Sequence, residues 1–176
     1  ITILYQIEDP MGYKLTSLAR LPLDERIDMY IFAIGAGLWD GALKDVVSRN
    51  FDKIAKDIGP NAIIVDALTE EMHGEIVEKY LGKQYRELKN QLPALLLTFS
   101  HPDKLEPDSF RYLVSLRDAY KRYEVIDDFL ADLVSFARHE DRKLLDNMEK
   151  SLTLQGAAKE IVEFSIPIAP GVAVNL

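Results

Sequence analysis

Apolar positions along this chain fall into two alternating patterns. Residues 28–36 (DMYIFAIGA) and 62–68 (AIIVDAL) are near-continuous apolar runs, as expected of strands buried on both faces of a sheet covered by helices. Between them Leu43, Val46, Val47, Phe51, Ile54 and Ile58 recur at three- and four-residue intervals. This spacing predicts a helix that opens near Gly41 and stops at Gly59 and Pro60. The run 28–36 reads as a strand and not as the start of that helix, because Gly35, Gly37 and Gly41 would each cost a helix interior roughly 1 kcal/mol. Thr69 to Leu81 repeats the helical spacing, with Met72, Ile76, Tyr80 and Leu81 on its inner face and Gly82 just past its end. Strand, helix, strand, helix in that order argues for parallel pairing through a right-handed crossover.

The flanks carry shorter signals. ITILYQI, residues 1–7, reads as a strand followed by a turn at Asp9, Pro10 and Gly12, and Tyr13 to Leu21 as a short helix. Leu95 to Phe99, introduced by Leu92 and Pro93, is a third buried strand. Phe110 to Leu116 is either its antiparallel partner across a polar loop or a helix capped by Asp108. From Tyr123 a helix is expected with Val125, Phe129, Leu133, Phe136 and Ala137 on one stripe, continuing past Arg142 through Leu144, Leu145 and Met148. Residues 151–176 change character: IVEFSIPI and VAVNL flank Ala169, Pro170 and Gly171, which predicts a terminal β-hairpin with Pro167 on an edge strand.

The element order and two local motifs resemble the thioredoxin-like superfamily. Its Trp-Cys-Gly-Pro-Cys-Lys turn corresponds to Trp39, Asp40, Gly41, Ala42, Leu43 and Lys44, so Trp, Gly and Lys match and both cysteines are replaced. Its cis-proline before a strand corresponds to Leu92-Pro93 ahead of Ala94-Leu95-Leu96-Leu97. The resemblance covers about residues 1–140 and implies a mixed sheet flanked by helices, with 141–176 as an extension of a helix end and a β-hairpin. In the family the first cysteine is activated by the helix start. Asp40, in that place, is expected to cap the helix while abolishing disulfide exchange. Ile34 stands where redox members keep a buried acid. A domain retained for shape and protein contact follows. Trp39, Asp40, Leu92 and Pro93 are then the expected binding residues, with Leu92-Pro93 cis, no catalytic residue and no cofactor; the C-terminal extension is a second surface, suited to self-association.

Composition narrows the alternatives. There are no cysteines, so thiol chemistry and disulfides are excluded, and the formal net charge of −8 opposes binding to nucleic acid or anionic membranes. No apolar run approaches the roughly 20 residues of a membrane span. The first residue reads as an artificial or renumbered start, or as the edge of a domain excised from something longer, and not as a secretion signal, and the cytoplasm is the default location. A competing reading makes Gly35, Gly37 and Gly41 a phosphate loop with Asp66 as ribose partner, in a small dinucleotide-binding enzyme. Its spacing, G-x-G-x-x-x-G, departs from the fingerprint, and Asp40 would oppose phosphate charge. His73, His101 and His139 have no metal-binding helical spacing and read as surface residues; DERID (24–28) and HEDRK (139–143) read as solvated helix ends.

Overall fold

The computed structural model describes residues 12–35, 41–67, 69–84, 86, 89–106, 109, 111–138 and 143–147, with backbone alone for 41–48, 84 and 89. Among the described residues five strands, β1 (Gly12–Leu15), β2 (Met29–Ile34), β3 (Ala62–Ala67), β4 (Ala94–Thr98) and β5 (Arg111–Ser115), form one sheet in the order β1-β3-β2-β4-β5. β3 pairs parallel with both β1 and β2; β4 runs antiparallel to β2 and to β5. Among the described residues the main helices are α1 (Gly41–Asp57), α2 (Glu70–Ile76, continued by a π-helical turn at Val77–Leu81), α3 (Leu116–Arg122) and α4 (Ile126–Ala137), with a further helical stretch at 143–147. The protein is thus α/β, a mixed sheet flanked by helices. The 1–7 strand and the 151–176 hairpin lie outside the described residues.

Period-two alternation explains why β2 is apolar throughout. Met29, Ile31 and Ala33 of β2 face a core built with Phe51, Ile54 and Ile58 of α1 and with Phe129, Leu133 and Phe136 of α4. Tyr30, Phe32 and Ile34 face the other way, onto Met72, Ile76, Tyr80 and Leu81 of α2 and its extension. A strand covered on both sides has no face to give to water. Thr69 caps α2 by accepting from the Met72 N–H at 3.2 Å, and Glu70 and Glu71 sit favourably in its first turn.

Three expectations change. Tyr13 to Leu21 is not a helix: its first residues belong to β1, and only Leu18–Arg20 makes a short 3-10 turn. Tyr13 and Leu15 pack against the α2-side core, and Gly12 lets β1 pass beneath α1, since a Cβ there would lie 2.6 Å from the Ala55 Cβ and 2.8 Å from Phe51 Cε1. The glycine thus serves close approach and not a turn. Phe110 to Leu116 resolves as a strand over Arg111–Ser115, but α3 follows at once, starting with Leu116 where Ser115 Oγ accepts from the Asp118 N–H at 3.4 Å. DERID is a turn before β2 and not a helix end. The helix past Arg142 is present at 143–147, where Leu144 and Leu145 are buried in the α1-side core.

Asp132 was not marked by the apolar stripe of α4, yet it is 5% exposed. Its Oδ2 accepts from Tyr123 Oη at 3.0 Å and from Asn147 Nδ2 at 2.9 Å, and Oδ1 lies 3.0 Å from Lys143 Nζ. Burial, above all, pushes the Tyr123 phenol well above its ordinary pKa, so it remains a donor.

Candidate functional site

β2 ends at Ile34, and Gly35 follows with φ of +90°, a conformation that glycine adopts without steric cost. Antiparallel pairing places Ile34 opposite Ala94, so the end of β2 and the entry to β4 lie side by side. A Cβ on Gly35 would be 3.1 Å from both the Leu92 Cβ and the Pro93 Cα. The Leu92-Pro93 peptide bond is cis. Leu92 is 2% exposed and joins the α2-side core, Pro93 is also buried, and the Pro93 carbonyl accepts from the Leu116 N–H at 2.9 Å. Gly35, Leu92 and Pro93 therefore form a packed floor at the end of β2. Trp39, Asp40 and Gly37 lie outside the described residues; Gly41 is the first residue of α1.

The same floor includes a histidine that sequence reasoning assigned to the surface. The Gly35 N–H donates to His73 Nδ1 at 3.2 Å, which ties α2 to the end of β2. His73 is half-buried, next to Met72 of the inner stripe, and position beside a buried stripe was the one available signal. Burial lowers its pKa from 6.5, with the Glu70 charge opposing. Protonation at Nδ1 would also convert the acceptor into a donor and end the Gly35 bond.

The sign of the resulting pH dependence is definite. An imidazole whose pKa is depressed on folding contributes stability that is fully present above its unfolded value of 6.5 and is lost as pH falls through the lower folded value. We expect urea-unfolding free energies measured between pH 7.5 and 5 to fall less steeply in a His73→Asn variant than in the parent, because asparagine retains an acceptor without a titration. The ceiling is about 1.4 kcal/mol per pH unit for one proton. Parallel pH profiles would remove His73 from this role.

Asp66 lies in β3, opposite Ala33 of β2 and Lys14 of β1, half-buried at the same end of the sheet. Ile34 is fully buried. His101 is buried at 6% exposure, which corrects its reading as a surface residue; it lies beyond β4, at the opposite end from Pro93. His139 is outside the described residues. Among the described residues no group of three His, Asp or Glu side chains is placed to hold a metal ion. No described helix is long and apolar enough to cross a membrane. A groove of about 360 Å³ between α1 and α4 carries Lys53, Asp57, Asp127 and Arg138, charges of both signs around Ile54 and Leu130. Comparison with protein-family models, with curated proteins and with solved structures found no match to this chain.

Proposed function

We propose that the chain is a redox-inactive, thioredoxin-like domain that acts as a noncatalytic protein-protein interaction or scaffold module, within a larger chain or assembly. The observation that carries this reading is the sheet order β1-β3-β2-β4-β5, with two parallel and two antiparallel pairings, and with Gly35 at the end of β2 set beside Leu92-Pro93. That arrangement supports the superfamily resemblance, and the absence of cysteine leaves the turn no thiol with which to exchange disulfides. The buried Leu92 and Pro93 pack against the end of β2, and in this reading Trp39 and Asp40 are the residues offered to an extended peptide.

The dinucleotide reading draws on Asp66 beside the end of β2. It lacks a parallel strand on the other flank of β2, where β4 is antiparallel, so the crevice of a topological switch point is missing. Two measurements separate the readings. Insulin reduction by dithiothreitol should proceed at its uncatalysed rate in the presence of the protein. The emission of Trp39, the chain's one tryptophan, should not be quenched saturably by NAD(P) or flavin. Micromolar quenching would favour the cofactor enzyme, and turnover of insulin would end the noncatalytic reading. For the binding surface itself, Trp39→Ala should abolish recovery of a partner in a pull-down with the fold intact, whereas retained recovery would move the site to the C-terminal extension.

A further inference from the structure

β1 is an edge strand: β3 pairs with one side of it, and among the described residues no strand pairs with the other. A sheet edge carries a row of backbone N–H and C=O groups that template an added strand. The two faces of β1 differ. Tyr13 and Leu15, both half-buried, pack against the α2-side core. Gly12 passes beneath Phe51 and Ala55 on the α1 side, where Lys14 Nζ lies 5.1 Å from the centre of the Phe51 ring. Residues 1–7 precede this strand with only residues 8–11 between. Their sequence, ITILYQI, alternates Ile1, Ile3, Tyr5 and Ile7 with Thr2, Leu4 and Gln6, the period of a strand with one wholly apolar face.

The length of the connection decides where such a strand can lie. Ile7 and Gly12 are five Cα steps apart, a reach of at most roughly 18 Å. The far edge of the sheet, at β5, is four strand spacings from β1, about 19 Å. A parallel neighbour would need a crossover of about a dozen residues or more. Asp9 and Pro10 are residues that a type I turn favours at its first two positions, and hairpin connections of four or five residues are most often built around that turn. Gly12 lies outside the left-handed region, which excludes the three-residue loop that ends in a glycine bulge. We propose that residues 1–7 occupy the outer side of β1 as a sixth, antiparallel strand, with Ile7 opposite Gly12 and Tyr5 opposite Lys14. Directly opposite residues share a face, so Ile1, Ile3, Tyr5 and Ile7 extend the α1 side past Phe51, and Leu4 stands opposite Leu15 on the α2 side. The edge of β1 is thereby closed to a partner's strand, and an extended peptide has to be taken elsewhere on the domain.

The chain has no cysteine, so a pair of introduced thiols reports a single proximity. In the full chain, Tyr5→Cys with Lys14→Cys should close a disulfide within one molecule on mild oxidation. It should do so at least tenfold faster than Gln6→Cys with Lys14→Cys, whose side chains leave opposite faces of the sheet. A second measurement needs no thiol: Tyr5→Pro removes a backbone donor from the added strand, and should speed amide hydrogen exchange in β1 at least tenfold while leaving β2 unchanged. Equal rates for the two thiol pairs overturn the proposal. So does a disulfide that forms only between molecules, which would seat a second copy on the edge. Exchange in β1 that Tyr5→Pro leaves unchanged overturns it as well, and if truncation after Lys150 accelerates that exchange instead, the edge belongs to the C-terminal tail.

Discussion

Phe129→Ala should lower the unfolding free energy by about 3–5 kcal/mol, the cost of emptying a large site in a core that relaxes only in part. Phe129 is fully buried near the start of α4, among side chains from β2, α1 and the 143–147 helix, and its ring meets Tyr123 edge-on at 5.4 Å. Domains of this size are stable by only about 5–15 kcal/mol, so the variant would approach the limit of folding at ambient temperature. Val125→Ala, at a 51% exposed position directly before α4, should change stability by less than about 0.5 kcal/mol. Urea denaturation of both variants gives the comparison. A loss below about 1.5 kcal/mol at Phe129 would mean that α4 is not seated on the sheet as described.

Gly35→Val is expected to cost roughly 3 kcal/mol, from a β-branched residue forced to positive φ together with crowding of its Cβ. The φ of +90° and the 3.1 Å approaches to Leu92 Cβ and Pro93 Cα act at the same atom, and the Pro93 contact is to backbone that cannot swing away. Gly74→Ala is the counter-example. Gly74 lies inside α2 with nothing within 4 Å of its would-be Cβ, so helix propensity alone should make that variant more stable by up to about 1 kcal/mol. Two glycine substitutions of opposite sign, measured in one denaturation series, test the local geometry of the floor independently of any partner. A Gly35→Val protein as stable as its parent would mean that the end of β2 does not rest on the proline segment.

Elements that carry long periodic signals were legible in the sequence, and elements set by single contacts were not. β2, α1 and β3 appear where continuous apolar runs and three-to-four spacing put them, because burial on two faces or one stripe writes itself into many residues at once. α2 was equally clear through Met72, Ile76, Tyr80 and Leu81, all of which are buried. β1 was missed because it is four residues long and its glycine, read as punctuation, answers instead to the Ala55 and Phe51 side chains of a distant helix. α3 carries a Ser115 cap, but only Leu116 and Ala119 are buried, too few to form a period. At the candidate site the juxtaposition of Gly35 with Leu92 and Pro93 followed from strand order. The His73 contact did not, since a hydrogen bond to a backbone N–H 38 residues away leaves no local pattern. The burial of His101 and Asp132 was hidden for the same reason: polar residues enter a core one at a time.

Asp132 bears on where the domain can be cut. One carboxylate gathers Tyr123 from the α3–α4 junction and Lys143 and Asn147 from the helical stretch beyond α4, while Leu144 and Leu145 close the adjoining core. A chain trimmed before residue 143 would lose two apolar plugs and, at the same stroke, leave a negative charge in a nearly dry place with a single phenol for company. Uncompensated burial of that kind destabilises far more than the loss of an exposed ion pair. The independently folding unit therefore has to be counted to at least Asn147, and a shorter fragment that fails to express would speak of a severed counterion and not of a missing partner.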